Sequence, residues 1–172
     1  LAINLASDVR DAHEITVLDY QKIETRNVQA NTQAYTPDMV GLPKIEALQY
    51  ILHKIGRKID ILNVKIMDPC IIPRFDVSID CLDNFEARNI ITESHRLFPT
   101  PCVHLGFGKN FTWSILWNEG YVPPEAVVDW DICEMEGATS FVRMVASIGS
   151  LVVQDYLKTR KQWEFTGNRF SM

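Results

Sequence analysis

Asp76-Val77-Ser78-Ile79-Asp80-Cys81-Leu82-Asp83 decides how this chain is read. The run is short, carries apolar residues along its length and closes on an acid. The amphipathic segment Phe85 to Leu97 follows at once, with Asn84 or Asp83 able to cap it. Glu14-Ile15-Thr16-Val17-Leu18-Asp19 has the same form. Strands buried on both faces look like this, because helices cover both sides of a parallel sheet. Outward from these runs the alternation continues. Leu1, Leu5 and Val9 are at helical spacing. Ile45, Leu48, Leu52 and Ile55 form one stripe of a helix that Pro43 opens and Gly56 ends. Ile59 to Ile66 and Pro101 to Gly106 read as further strands, and Phe111 to Trp117 as a fifth, opposite in direction. Gly137 to Lys158 reads as a long helix buried on more than one side, with few charges before Asp155. Gln21 to Pro43 and Glu119 to Glu136 read as irregular, and Thr159 to Met172 as a polar, peripheral tail.

Strands alternating with helices predict an α/β fold: a doubly wound, Rossmann-like, mostly parallel sheet with helices on both faces. Residues 1–158 would form one domain and 159–172 its tail. Open sheets of this kind bind ligands at the carboxyl ends of their strands, and Asp19 and Asp83 both fall there. The usual opening strand and Gly-rich turn do not precede the first helix, and the chain opens at Leu1 rather than Met. A processed or truncated product is expected. An upstream strand and Gly loop, in the natural chain or from another polypeptide, would lie between the strands ending at Asp19 and Asp83. Without it, two central strand edges would keep unsatisfied backbone groups. Direct pairing of those two strands would refute this.

The 172 residues are 47% hydrophobic and 23% charged, which excludes disordered, collagen-like and coiled-coil classes. A net charge of −5, from 17 basic and 22 acidic residues, offers no basic surplus for nucleic acid. No run reaches the roughly 18 apolar residues that mark a transmembrane helix, and no secretory signal is visible. Neither nucleic acid nor membrane is therefore an expected partner. Cys70, Cys81, Cys102 and Cys133 form no CxxC pair, so no structural zinc is expected. Cys70, Cys81 and Cys102 lie in or beside apolar segments and read as small core hydrophobes; a reducing cytoplasm fits them best.

Several segments, taken in order, resemble the ThiF/MoeB/HesA family of ubiquitin-activating-type adenylyltransferases. The anchors are Leu18-Asp19-Tyr20 with Glu24-Thr25-Arg26-Asn27, Val40 to Ala47, and Ile79 to Arg88. Pro101-Cys102-Val103-His104 with Gly106-Phe107-Gly108, Cys133 to Gly137, and Val145 to Ser150 follow. The resemblance implies ATP and magnesium as cofactors, and a small ubiquitin-like or sulfur-carrier protein whose C-terminal carboxylate is adenylated. Homodimers are common in such a family, and the apolar helix from Gly137 to Lys158 offers an interface. By the same resemblance Asp19 would bind the ribose hydroxyls, and Asn27 and Asn84 would sit near the nucleotide. Lys44 would place its ammonium on the phosphates, and Asp83 would hold magnesium and act with Lys44 as catalytic. Lys44 and Asp83 would have to converge on one pocket.

The bland readings stand beside these. An aspartate closing a strand also serves as a turn or cap residue. A lysine in a helix's first turn is commonly solvated, although it opposes the helix dipole by roughly 0.3–1 kcal/mol, which a phosphate would offset. Departures also matter. Ala30 and Asn31 stand where the family shows an Arg-Gln pair, and Gln21 stands where it shows a second acid. Arg26 could supply the missing charge. Cys133 aligns with a cysteine that in some members attacks the adenylate, but Asp129, Asp131, Glu134 and Glu136 around it oppose a thiolate. His104 reads as a core histidine rather than a base, Gly106 and Gly108 as a bend, and Trp113 and Trp117 as core or a partner surface. The leading expectation is an adenylating enzyme. The alternative is a catalytically degenerate relative acting as a binding or scaffolding subunit, with a nicotinamide-dependent dehydrogenase far behind.

Overall fold

The computed structural model describes residues 1–8, 13–30, 33–71, 75–124, 132 and 135–168. In chain order its regular elements are α1 (Ala2–Asp8), β1 (Thr16–Leu18), α2 (Thr25–Gln29), α3 (Lys44–Lys54), β2 (Asp60–Leu62), β3 (Ser78–Asp80), α4 (Phe85–Leu97), β4 (Cys102–Gly108), β5 (Thr112–Trp117), α5 (Ala138–Thr159) and β6 (Phe165–Asn168). The fold is α/β with parallel strand pairs. The chain forms two compact units: Leu1–Lys65 with Asp131–Ser150, and Ile66–Trp130 with Leu151–Met172.

In the first unit β1 and β2 pair in parallel, Val17 opposite Ile61. A core of Ala6, Leu52 and Ile59 packs against this pair through Ile15, Val17 and Ile61. A second cluster, Ile23, Met39 and Ala47 with Tyr35 and Val28, fills the region where the sequence shows only polar irregularity. That region contains α2 and a 3-10 turn at Pro37–Met39. Its few apolar residues are spaced too irregularly to display a period, yet they fold onto α3. Helix α3 ends at Lys54 with Ile55 as its cap, and Gly56 follows at φ +74°, the left-handed stop that glycine allows without strain.

The second unit is a four-stranded sheet in the order β3-β4-β5-β6. Strands β3 and β4 are parallel; β4–β5 and β5–β6 are antiparallel. Phe111 to Trp117 thus runs opposite to its neighbour, as its alternation predicts. Among the described residues β1 pairs with β2, and β3 with β4. Trp113, Ile115 and Trp117 are all buried, so this face of β5 is core and not a partner surface. Gly106 and Gly108 are strand positions rather than a bend: a Cβ at Gly106 would lie 3.0 Å from the Ser114 hydroxyl, and one at Gly108 would collide with Thr112. Residues 165–168 of the polar tail, though mostly exposed, form β6 against β5. Of the cysteines, Cys102 is buried as expected, whereas Cys70 and Cys81 are exposed. Among the described residues no helix is long and apolar enough to cross a membrane.

Candidate functional site

At the carboxyl end of β1 the half-buried Asp19 accepts the Gln21 N–H through Oδ1 at 2.8 Å. This Asx turn ends the strand and uses only Oδ1. Gln21 then engages Lys44 twice: its carbonyl accepts the Lys44 backbone N–H at 2.9 Å, and its Oε1 accepts the ammonium at 2.6 Å. The partner is a neutral amide, so the lysine is oriented without its charge being cancelled. The Tyr35 hydroxyl donates to the Lys44 carbonyl at 3.3 Å. Burial, with the Asp19 charge adding to it, pushes the Tyr35 pKa up to about 12, so the phenol remains a donor. Sequence reasoning missed Tyr35.

Helix α2 carries Arg26 and Asn27. Asn27 is buried, and its Oδ1 accepts the Glu24 N–H at 2.9 Å, which fastens the helix start. Arg26 is exposed and pairs with Glu24 at 2.6 Å. Ala30, in the place of the family's arginine, accepts the Thr139 hydroxyl through its carbonyl at 3.0 Å.

In the second unit β3 stops at Asp80, three residues earlier than the sequence suggests, so Asp83 lies in the turn after the strand. Asp80 makes the same Asx turn as Asp19, its Oδ1 accepting the Leu82 N–H at 2.9 Å. Here, however, the carboxylate is only 1% exposed. Oδ2 lies 2.8 Å from His104 Nδ1 and 3.8 Å from the Arg88 guanidinium. Arg88, buried on α4, donates through Nε to the Leu82 carbonyl at 2.6 Å and through Nη2 to the Leu105 carbonyl at 2.8 Å. Its Nη1 bonds the Tyr121 hydroxyl, and the Tyr121 ring stacks on His104 at 3.7 Å. His104 is therefore a core histidine held by an acid, with no partner for Nε2 among the described residues. Buried Cys102 lies close enough that Asp80 adds to the effect of burial in raising its thiol pKa. Asp83 and Asn84 are exposed; Asn84, not Asp83, caps α4 by accepting the Ala87 N–H at 2.8 Å. Cys133 lies outside the described residues.

The sequence profile of the ThiF family matches residues 10–120. The chain belongs to the ThiF family. Its ThiF relatives include the molybdopterin-synthase adenylyltransferase of Haemophilus influenzae, 32% identical over 80 residues, which are 44% of this chain and 32% of that protein. Escherichia coli MccB, solved with ATP, matches 97% of this chain and 59% of its own at 16% identity and a TM-score of 0.71. The microcin C7 biosynthetic enzyme MccB with N-formylated MccA matches 97% and 60%, at 16% identity and a TM-score of 0.70. The chain thus spans about a third of the curated relative and three fifths of the solved ones.

Within the ThiF match, the donors present suit a nucleotide. Lys44 brings an oriented cation, and Asp19 a half-exposed carboxylate. Among the described residues no three His, Cys, Asp or Glu side chains gather as a metal site. Asp83 is an exposed carboxylate, a hard oxygen donor of the kind that magnesium takes together with phosphate and water, whereas Asp80, three residues earlier, is fully engaged.

Proposed function

We propose that this ThiF-family chain carries the nucleotide-binding part of an ATP-dependent adenylyltransferase. It would activate the C-terminal carboxylate of a ubiquitin-like or sulfur-carrier protein. The observation that carries this reading is the Lys44 ammonium, oriented by a neutral glutamine beside the half-exposed Asp19 at the end of a parallel strand. Asp19 accepts from the ribose hydroxyls. Lys44 draws charge from the phosphates, so that an incoming carboxylate is not repelled. Arg26 and Asn27 flank the nucleotide from α2, and Asn84 lies beside Asp83. Asp83 would hold magnesium, which when bound would shield the triphosphate charge. A carrier carboxylate oxygen bonds to the α-phosphorus, the bond from that phosphorus to the bridging oxygen breaks, and pyrophosphate leaves with the electron pair. Cys133 is a candidate to take the acyl group from the adenylate. A soluble cytoplasmic homodimer is the setting this reading assumes.

A scaffolding role is the second reading. Ala30 favours it, because the position lacks the charge that its relatives place there. ATP–pyrophosphate exchange in the natural full-length protein, with and without candidate carrier proteins, decides between them. Carrier-dependent exchange is expected. Absence of ATP binding at millimolar concentration would establish the scaffold instead.

A further inference from the structure

Asp83 sits between two residues whose backbones are held. On one side, Leu82 is gripped at both of its polar groups. Its N–H donates to buried Asp80 at 2.9 Å, and its carbonyl accepts from buried Arg88 at 2.6 Å. On the other side, Asn84 accepts the Ala87 N–H through its side chain at 2.8 Å and the Arg88 N–H through its carbonyl at 3.2 Å. The grip is itself anchored in the core. Arg88 is fixed by the Leu105 carbonyl and the Tyr121 hydroxyl, and Asp80 by His104. Burying a guanidinium and a carboxylate demands compensation at nearly every polar atom. A helix cap alone needs none of this, because Asn84 already supplies it.

We infer that Arg88 and Asp80 are positioning residues: with Tyr121 and His104 behind them, they fix the backbone of the 81–84 turn so that the Asp83 carboxylate meets a nucleotide-bound magnesium ion. This rests on the proposed role of Asp83. Residues behind a metal ligand set its orientation, and their loss weakens metal affinity about 10–100-fold.

Two variants test it in the natural full-length protein. Arg88→Lys keeps the charge, but a single ammonium cannot span Leu82, Leu105 and Tyr121 together. Tyr121→Phe removes one hydroxyl that touches Arg88 and lies away from the turn, so it remains informative if the lysine variant does not fold. Each is compared with wild type and Asp83→Asn. The readouts are the magnesium concentration giving half-maximal pyrophosphate exchange and, independent of turnover, Mn2+ affinity in the presence of ATP. Arg88→Lys is expected to raise the half-maximal magnesium concentration about tenfold or more. The maximal rate should be recovered at saturating metal and the KM for ATP unchanged there. Tyr121→Phe should shift it in the same direction by less. Asp83→Asn should abolish the metal response. Wild-type metal affinity in Arg88→Lys or Tyr121→Phe, while Asp83→Asn loses it, would overturn the positioning role. Wild-type metal affinity in Asp83→Asn would instead overturn the assignment of Asp83 on which it stands.

Discussion

Strands β1 and β3 end with the same local device and opposite fates for the acid that makes it. Asp19 and Asp80 each accept the N–H two residues on, and each strand stops there. Asp19 stays half-exposed, beside a lysine steadied by a neutral amide. Asp80 is enclosed, with a histidine and an arginine taking up what the turn leaves over. One turn chemistry thus yields a half-exposed carboxylate in one unit and a structural anchor in the other. Burial, and not residue type, separates the two.

The largest expected effect sets these acids against each other. Asp80→Ala strands a buried guanidinium and should lower stability by about 3–5 kcal/mol in urea denaturation. Asp19→Ala, which loses one partly exposed hydrogen bond, should lower it by about 0.5–1.5 kcal/mol. Equal losses would erase the distinction. Activity should rank residues differently. Lys44→Ala is expected to slow pyrophosphate exchange by about 100-fold with an unchanged melting temperature. Gln21→Glu sharpens the point about the neutral partner, since a carboxylate there would cancel the ammonium it now only steers. ATP should bind about tenfold more weakly, or by about 1.4 kcal/mol, by calorimetry. Asn84→Ala removes the α4 cap and should lower stability by about 1 kcal/mol, with Asn84→Asp restoring it.

The smallest effect is one of pH. Burial first, then the nearby His104, lowers the His95 pKa from 6.5 in the folded protein. The unfolded chain takes up that proton near 6.5, and the folded chain only at lower pH. Stability should therefore be complete above that pH and decline as pH falls below it. His95→Leu should flatten this part of the stability–pH profile.

Much of this was legible in the sequence where a pattern repeats or a boundary residue is distinctive. Pro43 and Gly56 bracket α3, Asn84 opens α4, and the alternation of Thr112 to Trp117 gives β5 and its direction. Strand lengths were not legible, because apolar residues such as Val64 and Ile66 continue past the hydrogen-bonded ladder of β2. Helix α2 was hidden because it is five residues long and rests on the Asn27–Glu24 bond, not on an apolar stripe. The Asp80–Arg88–His104 cluster joins residues 24 apart and nearer, across two strands and a helix, and no spacing in one dimension announces it. One signal was present: Arg88 falls on the same helical face as Ile91, and a cation among core positions must find partners.

The last strand provides its own optical reporter. Trp117 is buried and donates its indole N–H to the carbonyl of Trp163, whose own exposed ring donates to Asp155. Undocking β6 would break the first of these bonds while leaving the Trp163 ring accessible to quencher. A red shift confined to the unquenched component of indole emission would therefore register detachment of the tail before the sheet beneath it melts.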